Sequence, residues 1–271
     1  MQRSLLSIAF CTLTLVAHAE APAFLNNGVT AHRGNSGEQP ENTLPAFRSA
    51  IDAGADWIET DVYLTKDRQL VLSHDSDTGR TGDKTLSVTN STYAELLTVD
   101  VATGFRTRHN LTLEQCPPAR MPLLADALRL VMEQPRTRLS IQPKNECVQT
   151  AFDVIRELKS ERWVGFNDGS LSKMRQVKTQ AKAVPVFWDR NADADIDKDI
   201  RTAREEGFEA LVVNVKGLTK DKVDKIRAAG LEAGVWTVNS EAELKAFLAL
   251  GVTRIYTDYP ARLLRLKSQA K

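Results

Sequence analysis

The stretch ALVVNVKGLTKDKVDKIRAAGLEAGVWTV, residues 210–238, contains one strand–helix–strand unit. Ala210–Val213 is an apolar run of strand length, and Thr219–Ala229 has apolar residues at helical spacing. Glu232–Val238 is a second run of β-branched and apolar residues. This order is typical of parallel sheets, because parallel neighbours need a crossover of about a dozen residues or more. The stretch therefore predicts an α/β fold with a parallel sheet.

The same alternation extends over most of the chain. Eight strands are predicted, at Val29–His32, Trp57–Val62, Arg138–Gln142, Trp163–Phe166, Val184–Trp188, Ala210–Val213, Glu232–Val238 and Arg254–Thr257. Helices are predicted at Thr43–Ala53, Leu123–Met132, Val148–Lys159, Ser170–Thr179, Asp195–Glu206, Thr219–Ala229 and Ser240–Leu250. Each strand but the last is followed by a helix, which is the order of a (β/α)8 TIM barrel. A doubly wound open sheet uses the same alternation.

One further strand, Gln69–His74, interrupts this order. It follows the second strand after too few residues for a parallel crossover, so we expect an antiparallel hairpin. A turn centred on Lys66 and Asp67 would place Glu59 opposite His74. The hairpin and the Thr-, Ser- and Asp-rich segment after it form an insertion over about residues 63–120, and long insertions usually have a functional use.

The first residues have the features of a secretory signal peptide at 1–19, with an arginine, an uncharged stretch and small residues before Ala19. Cleavage near Ala19 would leave residues 20–271 as a single domain in the periplasm or outside the cell. The uncharged stretch is shorter than the roughly 20 residues that span a bilayer, so no stable membrane anchor is expected. In an oxidising compartment, Cys116 and Cys147 would either pair or remain isolated thiols.

The charge of the chain is balanced, with 36 Lys and Arg against 35 Asp and Glu. Surfaces that bind nucleic acids or anionic membranes usually need a basic excess, so neither partner is expected. Any affinity for an anion must therefore come from a local cluster of cationic side chains. The sequence leaves the oligomeric state open.

Chemically active side chains occur where the predicted strands end. In a (β/α)8 barrel these carboxyl ends meet at one rim, where enzymes of this fold hold their active sites. The rim residues are His32 and Arg33, Glu59 and Asp61, His74, Gln142 and Lys144, and Trp236 and Asn239. His109 lies in the insertion without an evident partner, and it is predicted to be a surface residue.

The acid pair in the second strand predicts a metal site. Glu59 and Asp61 are two residues apart, so both carboxylates point to one face of the strand. Two inward carboxylates repel unless a cation holds them, and Ca²⁺ or Mg²⁺ takes oxygen ligands of this kind. Arg33 and Lys144 would hold an anion beside the metal, and two histidines would move protons. The combination favours metal-assisted cleavage of a phosphate ester, and the spacing does not indicate which histidine is the acid.

Several motifs at these positions resemble those of the glycerophosphodiester phosphodiesterase family, in the family's order and roughly its spacing. They are AHRG at 31–34, PENTLPAF at 40–47, GADWIETDVYLTKD at 54–67, LVLSHD at 70–75, GRT at 79–81, VWTVN at 235–239 and TDYP at 257–260. The resemblance covers nearly all of residues 20–271. It implies a TIM barrel that cleaves a small-molecule phosphodiester into glycerol 3-phosphate and an alcohol.

The resemblance also implies roles for individual residues. The catalytic acid and base would be His32 and His74, the substrate-binding residues Arg33, Lys144 and Trp236, and the metal ligands Glu59, Asp61 and the residue at position 142. Either Asn42 or Thr43 would cap the first helix, with Pro45 in its first turn. Glu41 would orient Arg33, bind the metal or act as a helix N-terminal charge.

One position departs from the family pattern. The third strand of the family usually ends in an acid, one residue and a lysine, but here the sequence is SIQPK, with Gln142 in place of the acid. An amide oxygen binds a hard cation without adding charge, so we expect weaker metal binding. Glu146 is a candidate for compensation. The substitution keeps open a non-catalytic phosphodiester-binding protein on the same barrel, and a related phospholipase is a third hypothesis.

Overall fold

The computed structural model describes residues 26–269, so the predicted signal peptide lies outside the described residues. The strands are β1 (Val29–His32), β2 (Trp57–Leu64), β3 (Leu70–Leu72), β4 (Arg138–Pro143), β5 (Val164–Asp168), β6 (Val186–Arg190), β7 (Ala210–Asn214), β8 (Glu232–Trp236) and β9 (Arg254–Thr257). β1 pairs in parallel with both β2 and β9, which closes a barrel of eight parallel strands, while β3 is an antiparallel addition to β2. The predicted (β/α)8 barrel is confirmed, and the open sheet is excluded.

Helices connect the parallel strands and cover the barrel. They are α1 (Leu44–Ala53), α2 (Tyr93–Leu96), α3 (Thr103–His109), α4 (Leu124–Met132), α5 (Val148–Glu157), α6 (Leu171–Gln180), α7 (Ile196–Glu206), α8 (Lys220–Ala228), α9 (Glu241–Ala249) and α10 (Pro260–Gln269). The expectation that no helix follows the last strand was wrong. α10 buries Leu263 and Leu266 and packs on α1, α9 and β1. No helix in the described part of the chain is long and apolar enough to cross a membrane.

The predicted N-terminal cap of α1 is present. The Thr43 hydroxyl accepts a hydrogen bond from the Ala46 N–H, and a proline stands in the first turn, where its missing N–H costs nothing. Gly54 ends the helix with φ of 89°, in the left-handed region that favours glycine. Thr43 is thus the cap, and the alternative, Asn42, binds Asp61 instead.

The β2–β3 hairpin forms as predicted, but its register differs by one residue. Val62 pairs with Leu72, and the Ser73 N–H donates to the Asp61 carbonyl at 3.1 Å. This register places Thr60, not Glu59, opposite His74, so that expectation was wrong. The reason lies in the turn, where Arg68 adopts φ of 63° and a three-residue loop replaces the expected two-residue turn.

The insertion has apolar cores of its own beside the main core. One contains Val71, Val88, Leu96, Val99, Val101 and Met121, and the other contains Ala102, Phe105 and Cys116. Cys147 belongs to the main core between the barrel and its helices. Both cysteines are buried and free, so the alternative of two isolated thiols is the one observed.

The amino-terminal end of the barrel is closed by a buried arginine. Arg254, at the start of β9, is 2% exposed and lies over the ring of Phe187 at 3.6 Å. Its Nε donates to a Glu232 carboxylate oxygen at 2.9 Å. Residues at this end of a TIM barrel contribute stability rather than chemistry, and an arginine between aromatic rings combines packing with a buried ion pair.

Replacing Arg254 by alanine should lower the free energy of unfolding by about 3–5 kcal/mol, because Glu232 would keep a buried charge without its partner. Urea denaturation followed by circular dichroism measures the change. Arg129→Ala, which removes an exposed ion pair with Asp126, is the control and should cost less than about 1 kcal/mol. Equal losses in the two variants would show that the buried pair does not stabilise the barrel.

Candidate active site

The carboxyl ends of the parallel strands surround a pocket of about 260 Å³. The eight residues predicted from the sequence to have catalytic, substrate-binding or metal-binding roles line it: His32, Arg33, Glu59, Asp61, His74, Gln142, Lys144 and Trp236. Barrel closure brings them together, since they come from β1, β2, the hairpin, β4 and β8. The wall also contains residues that the sequence reasoning missed: Asn167, Gly169, Asp189, Asn191 and Tyr256.

The chain turns sharply where β1 ends. Arg33 has φ of 57° and Gly34 φ of 85°, both in the left-handed region. A Cβ on Gly34 would lie 2.8 Å from atoms of Ala46 in α1, so this close approach requires glycine. The turn directs the Arg33 N–H to a Glu59 carboxylate oxygen at 3.1 Å. A non-glycine residue in this region is typical of functional sites, where surrounding contacts hold an unfavourable conformation.

His32 is oriented by a carboxylate that the sequence reasoning missed. Its Nδ1 lies 2.7 Å from Asp258, which also accepts hydrogen bonds from Asn239 Nδ2 at 2.6 Å and Ser36 Oγ at 3.0 Å. Burial lowers the pKa of His32, but Asp258 and the charge of Glu59 raise it, and the net pKa lies above its ordinary value. Asp258 directly follows β9. The criterion that selected the other rim residues, a position at the carboxyl end of a parallel strand, would therefore have selected it as well.

His74 has the same type of partner and the opposite pKa shift. Its Nδ1 lies 2.6 Å from Asp75. Burial and the charges of Arg33 and Lys144 lower the pKa of His74 below its ordinary value, against the opposing effects of Asp61 and Asp75. The pocket therefore holds two histidines whose pKa values are displaced in opposite directions.

Glu59 and Asp61 point into the pocket together, as their spacing predicts, and they are 2% and 1% exposed. Burial and the neighbouring charge of Asp61 raise the pKa of Glu59 to about 7. Asp61 is better compensated, because it accepts a hydrogen bond from Asn42 at 3.0 Å and lies 3.4 Å from Arg33 and 3.3 Å from Lys144. Glu59 is therefore the less well compensated carboxylate of the pair.

Gln142 connects the cationic side of the pocket to an acid on the opposite side. Its Oε1 accepts a hydrogen bond from Lys144 Nζ at 2.8 Å, and its Nε2 donates to Asp189 Oδ2 at 3.1 Å. Asn167 donates to the same oxygen at 3.0 Å. Burial and the nearby charge of Asp168 raise the pKa of Asp189 to about 7. Asp189 lies near the carboxyl end of β6, so the same criterion of position at a strand end would have selected it.

The oxygen atoms of Asp61 and Gln142 both face one cation, the ammonium group of Lys144. With Glu59 beside Asp61, the predicted metal ligands supply only oxygen donors, which suit a hard divalent cation. Across residues 26–269, no group of three or more His, Cys, Asp or Glu side chains is arranged to hold a metal. Two carboxylates and one amide would offer a cation less negative charge than three carboxylates.

Other residues considered from the sequence lie in different surroundings. Trp236 packs against the interior apolar cluster that contains Tyr256, and forms an apolar wall of the pocket. Glu41 binds Arg33 at 2.9 Å, which supports its orienting role. His109 is exposed as predicted, and Glu146 is exposed and does not line the pocket, so it does not compensate for Gln142.

The chain matches a known protein family and is similar to individual proteins. Residues 32–262 match the model of the glycerophosphoryl diester phosphodiesterase family. A glycerophosphodiester phosphodiesterase of Bacillus altitudinis is 31% identical over 254 residues, covering 90% of this chain and 99% of the relative. Lysophospholipase D GDPD1 of Rattus norvegicus is 25% identical over 271 residues, covering 89% of this chain and 85% of the relative.

Solved structures share the barrel. A phosphodiesterase of Oleispira antarctica, determined in complex with the product sn-glycerol-3-phosphate, superposes with a TM-score of 0.78 at 22% identity. The match covers 90% of this chain and 98% of that protein. At this level of identity the likeness shows the fold.

Gln142 and Asp189 should behave as a coupled pair. Gln142→Glu would place a carboxylate where the present side chain donates to Asp189, while Asp189→Asn would again provide a donor. The double variant should be more stable than the sum of the two single changes, by about 0.5–3 kcal/mol. Urea denaturation of the four proteins in this cycle measures the coupling. Additive changes would show that the two side chains act independently.

Proposed function

The chain belongs to the glycerophosphoryl diester phosphodiesterase family, and we propose that it hydrolyses glycerophosphodiesters to glycerol 3-phosphate and an alcohol. The match to the family spans every residue that lines the pocket. Both histidines, two cationic side chains and two buried carboxylates converge there. Their convergence favours catalysis over the alternative of a binding protein that has lost turnover, although Gln142 stands in place of the family's third acid.

The arrangement of the two histidines is the observation that carries this proposal. Each ring has its Nδ1 held by a carboxylate, His32 by Asp258 and His74 by Asp75. The remaining ring nitrogen is then available for proton transfer in the pocket. Hydrolysis of a diester needs a neutral base and a protonated acid at the same pH, and two histidines with opposite pKa shifts meet this requirement.

The opposite pKa shifts support one assignment of the two roles. His74, with its lowered pKa, is neutral near neutral pH and takes the proton from the attacking water as the new P–O bond forms. His32, with its raised pKa, keeps a proton and donates it to the alkoxide as the P–O bond to the alcohol breaks. Water and diester are thereby converted into a phosphate monoester and an alcohol.

Arg33 and Lys144 bind the phosphate in this proposal. Both lie within 3.4 Å of the same buried carboxylate, that of Asp61. This anchor holds the two cations on one side of the pocket, where they stabilise charge on the phosphoryl oxygens. Trp236 offers its apolar face to the glycerol or alcohol part of the substrate.

A divalent cation is part of the proposal, with Glu59, Asp61 and the Gln142 oxygen as its ligands. When bound, such an ion would neutralise charge on the phosphoryl oxygens. The raised pKa of Glu59 supports this assignment, because a cation at the acid pair would relieve the repulsion between the carboxylates. The proposal covers Ca²⁺ and Mg²⁺ alike, and the neutral amide at position 142 favours weaker binding than a carboxylate.

Export is also proposed, on the basis of the signal-peptide features of residues 1–19. The enzyme would then act on diesters in the periplasm or outside the cell. Amino-terminal sequencing of the protein recovered from the periplasm or medium tests this directly. A mature chain that still starts at Met1 would contradict export through this segment.

The purified protein should release glycerol 3-phosphate from glycerophosphocholine, and a chelator should stop the reaction until Ca²⁺ or Mg²⁺ is restored. His32→Ala should lower kcat by about 10²–10⁴-fold through loss of the general acid. His109→Ala, in the exposed histidine, is the matched control and should leave kcat unchanged. Saturable binding without turnover under any metal would indicate the binding protein instead. Turnover of lysophosphatidylcholine alone would indicate the phospholipase.

Activity should rise with pH through the pKa of His74, below 6.5, and fall through that of His32, above 6.5. Asp258→Asn removes a charge that raises the pKa of His32, so the upper limb of the pH profile should move to lower pH while the lower limb stays in place. Profiles of kcat/KM against pH measure both limbs. Asp193→Asn, in an exposed acid, is the control. An upper limb that does not move would rule out Asp258 as the source of the His32 shift.

A further inference from the structure

Arg80, in the insertion, contacts two acids that each hold a residue of the pocket. Its Nε donates to Asp75 Oδ2 at 2.6 Å. Its two Nη atoms donate to the two oxygens of Glu41, at 2.6 and 2.7 Å. Arg80 does not itself line the pocket, and its side chain is 41% exposed. It is therefore placed to act on the pocket through these two carboxylates.

The first connection runs from Arg80 through Asp75 to His74. One oxygen of Asp75 accepts from Arg80 and the other lies 2.6 Å from His74 Nδ1. Fixing one oxygen of a carboxylate restricts rotation of the whole group, so Arg80 sets the direction from which Asp75 meets the imidazole ring. The other charges that act on His74 are those of Asp61, Arg33 and Lys144.

The second connection runs from Arg80 through Glu41 to Arg33. Glu41 Oε1 is shared between Arg80 and Arg33 Nη1, the latter at 2.9 Å. Although burial raises the pKa of Glu41, the two guanidinium groups lower it to about 2, so this acid stays ionised. Since Glu41 is only 11% exposed, it would turn fully towards Arg33 if its two bonds to Arg80 were lost. Arg33 would then shift relative to Asp61 and the phosphate.

The folded insertion determines where Arg80 lies. The Gly104 N–H, in α3, donates to the Thr81 carbonyl at 2.8 Å. A Cβ on Gly104 would come 2.1 Å from the Arg80 carbonyl oxygen, so only glycine allows α3 to approach this closely. α3 also contributes Phe105 to one of the insertion's apolar clusters. The backbone of Arg80 is thus held by packing within the insertion.

We propose that Arg80 is a positioning residue through which the insertion orients both His74 and Arg33. This inference rests on the roles proposed above for those two residues. The function of the insertion in the reaction would then be to hold one guanidinium group between the carboxylates of Asp75 and Glu41. Arginine is required because its planar fork donates to both oxygens of Glu41 while its Nε reaches Asp75, and a lysine ammonium lacks this geometry.

Three substitutions separate the two connections. Arg80→Ala should lower kcat/KM by about 100-fold, because misplaced catalytic groups cost about this much. Asp75→Asn should affect mainly kcat, through His74, whereas Glu41→Gln should affect mainly KM, through Arg33.

Arg80→Lys should recover only part of the activity, and added guanidinium ion should partly rescue Arg80→Ala. Arg129→Ala, an exposed arginine on α4, should change neither parameter.

NMR titration of the histidine side chains provides a readout that does not depend on turnover. Arg80→Ala leaves Asp75 to interact with His74 alone, so the pKa of His74 should rise, whereas Asp75→Asn removes the anion and should lower it. His32, whose Nδ1 is held by Asp258, should titrate in Asp75→Asn as in the unmodified protein. A general loss of structure would not move His74 in opposite directions in the two variants.

The outcomes distinguish the two proposals. If the unmodified protein hydrolyses no diester, the proposed function fails, and the titration still tests whether Arg80 positions His74. If the protein is active but Arg80→Ala leaves KM, kcat and the His74 titration unchanged, the inference is overturned. Thermal unfolding checks that each variant is folded. Should Arg80→Ala not fold, Arg80→Lys carries the same test, and unchanged kinetics and titration in that variant overturn the inference.

Discussion

The burial of two adjacent carboxylates on β2 is the constraint on which the pocket depends. Glu59 and Asp61 are almost fully removed from water, and like charges in such surroundings are unstable unless donors and cations surround them. The left-handed turn at Arg33 directs a backbone N–H to Glu59. Lys144 and Asn42 bind Asp61. Arg33 and Lys144 compensate Asp61, and the same two cations are the ones proposed to bind the phosphate.

The charged side chains around this acid pair act differently on the pKa values of His32 and His74. His32 lies beside Glu59 and against Asp258, where negative charge outweighs the effect of burial. The charges of Arg33 and Lys144 lower the pKa of His74, and burial reinforces their effect. One cluster of charges therefore moves the pKa values of two chemically identical side chains in opposite directions.

In the closed barrel, the side-chain amide of Gln142 is hydrogen-bonded through both its oxygen and its nitrogen. Its oxygen faces Lys144 and its nitrogen faces Asp189, so a single amide satisfies a donor and an acceptor that lie on opposite sides of it. A glutamate there would face Asp189 with like charge. The departure from the family's acid thus has a structural partner on β6, which sequence comparison of the third strand alone does not show.

The sequence by itself determined the eight parallel strands, the helices between them and the acid pair on one face of β2, because these depend on hydrophobic periodicity and on the alternation of side chains along a strand. It also indicated the strand-end histidines. Only the tertiary structure decided the hairpin register, the packing of α10, and the contacts of Asp258, Asp189 and Arg80. These join residues distant along the chain, and their geometry depends on barrel closure and on the packing of the insertion, which local sequence patterns do not encode.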